Sequence, residues 1–416
     1  MNTKRIMAAC LAAVMLFGLC ACTGTPDSSQ PPDASADGTS EAGGTTGSTA
    51  APTQPVPEGK YTYTLEELPD YGELPFSTEA VIPGDPDFEV GKYWSGPHLE
   101  LPQGLEMGVW MWDSRIIIGQ DPATPGVTCD EMLDMLIQNG VTEIYLTVRA
   151  DSYYGIEDLI ESGGEVPDGM VSEMMLRGFI KKCSKFGIKV SKLEVIVGVP
   201  GLARFMPSEN KSEEYYWTKQ QYLWLADFNS RAAGEDEKLI GLHIDCEASW
   251  DDYGDPVENV QNFTDWLITM TRYAGEYDMT LGLDLLAGFY TRSAFMVTDE
   301  TGATVPLMDV ITRQCPSLTL MSYSYSNSKQ FDGVRRELEY AKKNGCTLIV
   351  AAETGIPSQD NERPITYWSL DYPRFKEQQK KLCKKLKESG LEHYGIAIHY
   401  TASLWKLAER DRDLTE

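Results

Sequence analysis

The segment Leu239-Ile-Gly-Leu-His-Ile-Asp-Cys-Glu247 has the composition of a buried β-strand that ends in two carboxylates. Side chains alternate along a strand, so His243, Asp245 and Glu247 are expected on one face. A second apolar run, Leu348-Ile-Val-Ala-Ala-Glu353, also ends in a carboxylate. Acids at the C-terminal ends of parallel strands are typical of the catalytic face of a (β/α)8 barrel. The two segments therefore predict a barrel with its chemistry at this end.

Short apolar runs alternate with amphipathic helical stretches from about residue 106 onward, which is the pattern of βα units. Eight runs qualify as strands: Gly108–Trp112, Glu143–Val148, Lys189–Gly198, Leu239–Glu247, Thr280–Ala287, Leu318–Tyr323, Thr347–Glu353 and Tyr394–His399. Lys189, Lys192 and Glu194 interrupt the third run, which leaves open whether all of it is a strand. We predict an α/β protein with one (β/α)8 barrel over residues 106–416.

The alternative fold is an open, doubly wound sheet. Such a sheet usually carries a glycine-rich first turn, and no G-x-G-x-x-G follows a strand in this chain. Helix signals between the strands fit the barrel instead. Thr128-Cys-Asp-Glu131 matches a capping box, and Gly345 is placed to end a helix over Phe331–Asn344.

The N-terminus has the features of an export signal. Lys4 and Arg5 precede an apolar run, Ile6–Leu19, that is too short for a stable transmembrane span. Leu19-Cys20-Ala21-Cys22 resembles the lipobox of bacterial lipoproteins, with Cys22 as the lipidated residue. We expect residues 1–21 to be a lipoprotein signal peptide; the alternative is an ordinary secretory signal.

The next segments predict a tether and an arm. Residues 22–58 are rich in Ser, Thr, Gly and Pro and carry too few large apolar side chains to form a core. Residues 59–105 are rich in Pro and aromatic residues and are expected to pack as an arm on the barrel. A lipid-anchored tether predicts a location on the outer face of the bacterial cytoplasmic membrane.

Composition narrows the classes of partner and chemistry. The 416-residue chain has a formal net charge of −27, which argues against binding to nucleic acid. We expect membrane contact only through the lipid anchor. The nine cysteines contain no C-x-x-C pair, and the six that follow Cys22 are expected to be buried thiols. The four histidines form no metal motif, and no G-x-S-x-G or Walker motif is present, so no metal or cofactor is expected.

Three carboxylates are the candidates for catalysis. Two neighbouring acids cannot both ionise cheaply, so Asp245 should raise the pKa of Glu247 and favour it as a general acid. Glu353 is expected across the barrel as a second catalytic carboxylate, since glycosidases use such pairs. The alternatives are structural: an ion pair of the β-strand acids with Arg149 or His243, and a loop-capping role for Glu353.

Other residues are predicted to bind the substrate at the same end. Tyr323 ends the sixth run and carries a hydroxyl that can act in catalysis or belong to the core. Aromatic planes and polar groups in this region suit a sugar ring, which predicts a carbohydrate substrate. The predicted substrate-binding residues are Trp112, Arg149, Trp250, His399 and Asp284, the last of which is also a candidate buried partner.

These sequence segments resemble those of glycoside hydrolases. Ile240-Gly-Leu-His-Ile-Asp-Cys-Glu247 resembles the fourth-strand signature D-G-x-D-x-D-x-E of family 18 chitinase-like enzymes, and Met321-Ser-Tyr323 resembles their sixth-strand M-x-Y. The resemblance implies that Glu247 is the general acid, while Asp245 and Tyr323 steady an acetamido group that acts as internal nucleophile. The chain departs from the signature at Ile240, His243 and Ser324.

A second resemblance is to retaining barrel enzymes with glutamates on the fourth and seventh strands. Glu247 and Glu353 match that layout, although Cys246 stands where those enzymes usually have Asn. The chain also resembles uncharacterised bacterial barrel proteins described as glycoside-hydrolase-like. These resemblances imply hydrolysis of glycosidic bonds at the cell surface. The alternative is a barrel that binds carbohydrate without cleaving it.

Overall fold

The structure is a computed structural model that describes residues 65, 67–68, 79–102, 104–148, 171–197, 213–247, 256–288 and 295–412. Eight parallel strands form a closed barrel in which each strand pairs with its neighbours in chain order. They are β1 (Glu106–Met111), β2 (Glu143–Thr147), β3 (Lys189–Val197), β4 (Gly241–Glu247), β5 (Thr280–Leu286), β6 (Ser317–Met321), β7 (Thr347–Glu353) and β8 (Tyr394–His399). The predicted (β/α)8 fold is confirmed.

A helix follows each strand. The helices are α1 (Cys129–Gln138), α2 (Glu173–Lys185), α3 (Glu213–Ser230), α4 (Pro256–Glu276), α5 (Leu307–Gln314), α6 (Asn327–Asn344), α7 (Tyr372–Glu388) and α8 (Thr401–Arg410). The predicted capping box is present at α1, where Thr128 and Glu131 exchange hydrogen bonds. Gly345 ends α6 with a left-handed φ of 70°, a conformation that glycine adopts without steric cost.

Two strands bear on predictions that the sequence left open or made in error. β3 spans Lys189–Val197 without a break, and the buried Lys192 ammonium binds Gln221 Oε1 on α3 at 2.7 Å. β6 ends at Met321, so the prediction that Tyr323 ends this strand is wrong. The Ser322 N–H donates to Leu320 O at 2.9 Å, which turns the chain before Tyr323 is reached.

The barrel has two apolar layers. The larger layer lies between the strands and the surrounding helices. The smaller one fills the barrel interior and consists of Trp110, Tyr145, Leu193, Met321, Ile349, Ala351 and Ala397. Gly282 on β5 makes room for a large neighbour, since a Cβ there would lie 2.6 Å from His243 Nδ1. The interior is therefore a packed core and not a channel.

The described part of the N-terminal arm packs along the helices. Asp134 on α1 accepts three backbone N–H groups of the arm, from Gly91, Tyr93 and Trp94, at 2.7–2.8 Å. The Trp94 ring lies 4.7 Å from that of Trp405 on α8. The predicted signal peptide and tether, with Cys22, lie outside the described residues.

All six cysteines of the barrel domain are buried free thiols, as predicted. Burial raises the pKa of Cys129, Cys346 and Cys383 to about 12 in each case. They therefore stay protonated and behave as small apolar side chains. Among the described helices, none combines the length and apolar character that a membrane crossing requires.

Candidate active site

Five predicted site residues lie at the C-terminal mouth of the barrel. Glu247 ends β4, Glu353 ends β7 and His399 ends β8, while Trp112 and Tyr323 follow β1 and β6 closely. Each of these side chains is partly exposed. Strand alternation explains the placement, because each strand-end residue shares the inward face of its strand.

A chain of hydrogen bonds runs along one side of the mouth, through the ends of the neighbouring strands β7, β8 and β1. His399 Nδ1 lies 2.6 Å from Glu353 Oε2, and the Trp112 indole N–H donates to His399 Nε2 at 2.9 Å. The other Glu353 oxygen, Oε1, accepts the N–H of Gly355. The loop-capping role of Glu353, which the sequence left as an alternative, is therefore present in the structure.

This chain of bonds defines the tautomer of His399. An indole N–H can only donate, so Nε2 must be the unprotonated nitrogen and Nδ1–H must donate to Glu353. Burial lowers the pKa of His399, but the Glu353 carboxylate and more distant acids outweigh it and raise that pKa overall. The Trp112 N–H opposes the acids, because Nε2 cannot take a proton while it accepts this bond. Protonation of His399 at Nε2 therefore requires the Trp112 indole to move away from this nitrogen.

A second network lies deeper in the barrel. Asp284 on β5 has no exposed surface. Its Oδ1 lies 2.5 Å from His243 Nε2, and its Oδ2 accepts the Trp110 indole N–H at 2.8 Å. The His243 ring stacks on Tyr145, with centroids 3.5 Å apart. Asp284 therefore holds the interior together and does not reach the mouth, which corrects its prediction as a substrate-contacting residue.

Asp245 and Glu247 form the carboxyl pair at the end of β4. Burial, followed by the charges of Glu247 and Asp284, raises the pKa of Asp245 well above its usual range. Burial also raises the pKa of Glu247; His399 opposes this and Asp284 adds to it. The predicted ion pair of Asp245 with His243 is absent from these described strands, since His243 binds Asp284 instead.

Tyr323 faces the same carboxyl groups from the loop after β6. Burial raises the pKa of its hydroxyl well above the usual value, and the charges of Glu353, Asp245 and Glu247 add to the effect. Its ring centroid lies 6.0 Å from that of His399. The phenol is therefore a neutral O–H donor between the two sides of the mouth.

Solvent reaches this region beside β4. Val195 is the partner of Asp245 on β3, and its apolar side chain is 37% exposed although it follows the inward parity of Leu193. An exposed valine at this position shows that solvent reaches the strand next to the carboxyl pair. The predicted residues Arg149 and Trp250 lie outside the described part of the chain.

Two interior aromatics lie beneath the mouth and support the residues of the site. Trp110 is buried and binds Asp284, and Tyr145 supports the His243 ring. The sequence carried a signal for both of them. Trp110 lies two residues before Trp112, and Tyr145 lies two residues before Thr147, so strand alternation places Trp110 and Tyr145 on the inward face. Among the described residues, no three His, Cys, Asp or Glu side chains are grouped so as to hold a metal ion.

No protein-family model matches the chain, and no curated protein matches it. Solved structures similar to it include an endo-β-N-acetylglucosaminidase from Cordyceps militaris, with 16% identity, 71% of this chain and 81% of that chain covered, and a TM-score of 0.39. A GH18 chitinase from Pseudoalteromonas aurantia has 11% identity, 71% and 94% coverage and a TM-score of 0.38. The Bacillus cereus spore cortex-lytic enzyme SleL has 10% identity, 74% coverage of each chain and a TM-score of 0.40. Similarity this low carries no assignment of function.

Proposed function

We propose that this protein hydrolyses glycosidic bonds, with Glu247 as the general acid. The supporting observation is the carboxyl pair at the end of β4, where Glu247 is partly exposed at the mouth and Asp245 lies buried behind it. Burial raises the pKa of Glu247 from its usual value. A glutamate that keeps its proton near neutral pH can donate it to the leaving oxygen as the glycosidic bond breaks.

Asp245 is the proposed partner of Glu247, with Tyr323 as a hydroxyl donor. Both face the position that a sugar ring would take beside Glu247, and the environment of each favours its neutral, hydrogen-bond-donating form. Two neutral donors suit a carbonyl-bearing substituent of the sugar that acts as an internal nucleophile. Glu353 fits a direct nucleophilic role less well, because both of its oxygens already accept hydrogen bonds.

The proposed substrate is a carbohydrate that enters at the mouth. Trp112 offers an aromatic plane there, oriented by its hydrogen bond to His399, and Tyr323 offers a hydroxyl group from the loop after β6. Sugar rings combine apolar C–H faces with hydroxyl groups, so this mixture of aromatic and polar side chains suits them. Attachment to the outer face of the membrane through a lipid on Cys22 remains part of the proposal.

The experiment is to assay the protein and its Glu247→Gln variant against para-nitrophenyl glycosides and natural oligosaccharides, with and without N-acetyl groups. Loss of the general acid should lower kcat by roughly 10²–10⁴-fold with little change in melting temperature. Glu143→Gln is the matched control, since Glu143 is an inward-facing, half-buried glutamate at the opposite end of the barrel. Equal activity in the wild type and Glu247→Gln would refute the proposed role.

A barrel that binds carbohydrate without cleaving it is the second candidate. Two observations favour binding without cleavage. Both oxygens of Glu353 already accept hydrogen bonds, and His243 stands where the family 18 signature has an acid. Isothermal titration against the same oligosaccharides distinguishes the two functions. Binding without product release over prolonged incubation supports the binding protein, whereas product that depends on Glu247 supports the hydrolase.

A further inference from the structure

Two buried carboxyl groups lie side by side on neighbouring strands of the barrel. Asp245 on β4 and Asp284 on β5 are in register as Cα partners, so both point inward at the same depth. Asp245 is 6% exposed and Asp284 is fully buried. Two negative charges this close and this dry repel each other strongly, so only one of the two carboxyl groups is expected to ionise at neutral pH.

The hydrogen bonds of the two groups differ. Asp284 accepts the Trp110 N–H at Oδ2 and pairs with His243 Nε2 at Oδ1. An indole N–H can only donate, so Asp284 is the acceptor in that bond. The Asp245 Oδ1 atom is buried and meets no hydrogen-bond donor among the residues that the structure describes. Donors stabilise the ionised form of a carboxyl group, and burial without donors favours the protonated form.

We propose that Asp284 is a positioning residue that remains ionised between His243 and Trp110 and thereby keeps the Asp245 carboxyl protonated. Asp245 then presents an O–H donor toward Glu247 and the mouth. The consequence of this inference for catalysis rests on the proposed function: a neutral Asp245 adds no negative charge beside Glu247, the proposed general acid. Its protonation state, however, is a property of the free protein.

The other charged groups around Asp245 are consistent with this order of ionisation. Glu247 lies on the same strand and is less buried, so burial opposes its ionisation less than that of Asp245. Tyr323 faces Asp245 as a neutral phenol. Glu353 is bound to His399, away from β4, and Val195 on β3 carries no charge.

The first experiment is infrared difference spectroscopy of the free protein near pH 7, which needs no substrate. A protonated carboxyl group has a C=O stretch separate from that of a carboxylate. Subtraction of the Asp245→Asn spectrum from that of the wild type should leave such a band, and the same subtraction in a Glu247→Gln background should leave it unchanged. Absence of the band from the first difference spectrum would overturn the inference even if the protein proves to be a hydrolase.

The second experiment follows that band with pH in Asp284→Asn. Removal of the neighbouring charge should let Asp245 ionise at a pH lower by about 1 unit or more. Asp332→Asn, a surface substitution with the same charge change, should leave the titration in place. If a glycosidase activity is found, its alkaline limb should move to lower pH in Asp284→Asn. A variant that loses activity or stability without either shift would show a merely structural role for Asp284.

Discussion

His399 Nδ1 lies 2.6 Å from Glu353 Oε2, and this contact joins the ends of β7 and β8 at the barrel mouth. The two residues are Cα partners in the sheet, so the register of the strands creates the pair. Trp112 occupies the other ring nitrogen. The imidazole is thus held at both nitrogens, which orients the aromatic side of the proposed sugar site.

Replacement of Glu353 by Gln should lower the pKa of His399. The carboxylate is what raises that pKa against burial, so without its charge the neutral imidazole is favoured further. The chain has four histidines, and NMR titration of their ring protons can follow each one, with His399→Gln to assign the signal. Glu392→Gln, next to the exposed His393, is the control. An unchanged titration of His399 in Glu353→Gln would contradict the pairing.

Asp245→Asn should stabilise the protein more at pH 7 than at pH 4. The unfolded chain ionises Asp245 near its ordinary pKa of about 3.9, whereas the folded protein resists ionisation because burial and neighbouring acids raise this pKa. The wild type therefore loses folding stability as the pH rises above the pKa that Asp245 has in the unfolded chain. The amide of the Asp245→Asn variant does not ionise, so the variant keeps this stability. Urea unfolding at the two pH values measures the difference.

The extra stability of Asp245→Asn at pH 7 over pH 4 measures how far folding raises the pKa of Asp245. Asp332→Asn serves again as the surface control, since Asp332 is 58% exposed beside Arg335. An equal stability difference at pH 4 and pH 7 would show that Asp245 ionises normally in the folded state.

Gly282→Ala should destabilise the barrel by about 1–3 kcal/mol, the usual cost of overpacking a core. The new Cβ would lie 2.6 Å from His243 Nδ1, and His243 cannot move without disturbing its bond to Asp284. Gly275→Ala on α4 is the matched control, because nothing lies within 4 Å of its Cβ position. That helical substitution should stabilise by about 0.5–1 kcal/mol. Thermal unfolding of both variants gives the comparison.

Cys22→Ser should release the protein from membranes. If Cys22 carries the lipid, loss of its thiol removes the anchor, and the barrel should appear in the soluble fraction of a bacterial host that processes lipoproteins. Labelling with a radioactive fatty acid provides a direct readout. Cys20→Ser is the control and should leave labelling intact. Membrane retention of an unlabelled Cys22→Ser protein would contradict the lipoprotein prediction.

The sequence alone was sufficient to predict the barrel fold and the end of the barrel at which the acidic residues lie. Strand alternation and apolar runs depend on local spacing, so the inward parity of His243, Asp245 and Glu247 could be predicted, as could the buried cysteines. The sequence did not predict that β6 would end before Tyr323, since that turn depends on a bond between Ser322 and Leu320.

Only the tertiary structure decided which inward residues bind one another. The bonds of Asp284 to His243 and to Trp110 span 41 and 174 residues, and that of His399 to Glu353 spans 46. Such pairs depend on strand register and on closure of the barrel, which bring distant segments together in space. Spacing along the chain therefore shows where a carboxylate points, and only the closed sheet shows whether a donor meets it there.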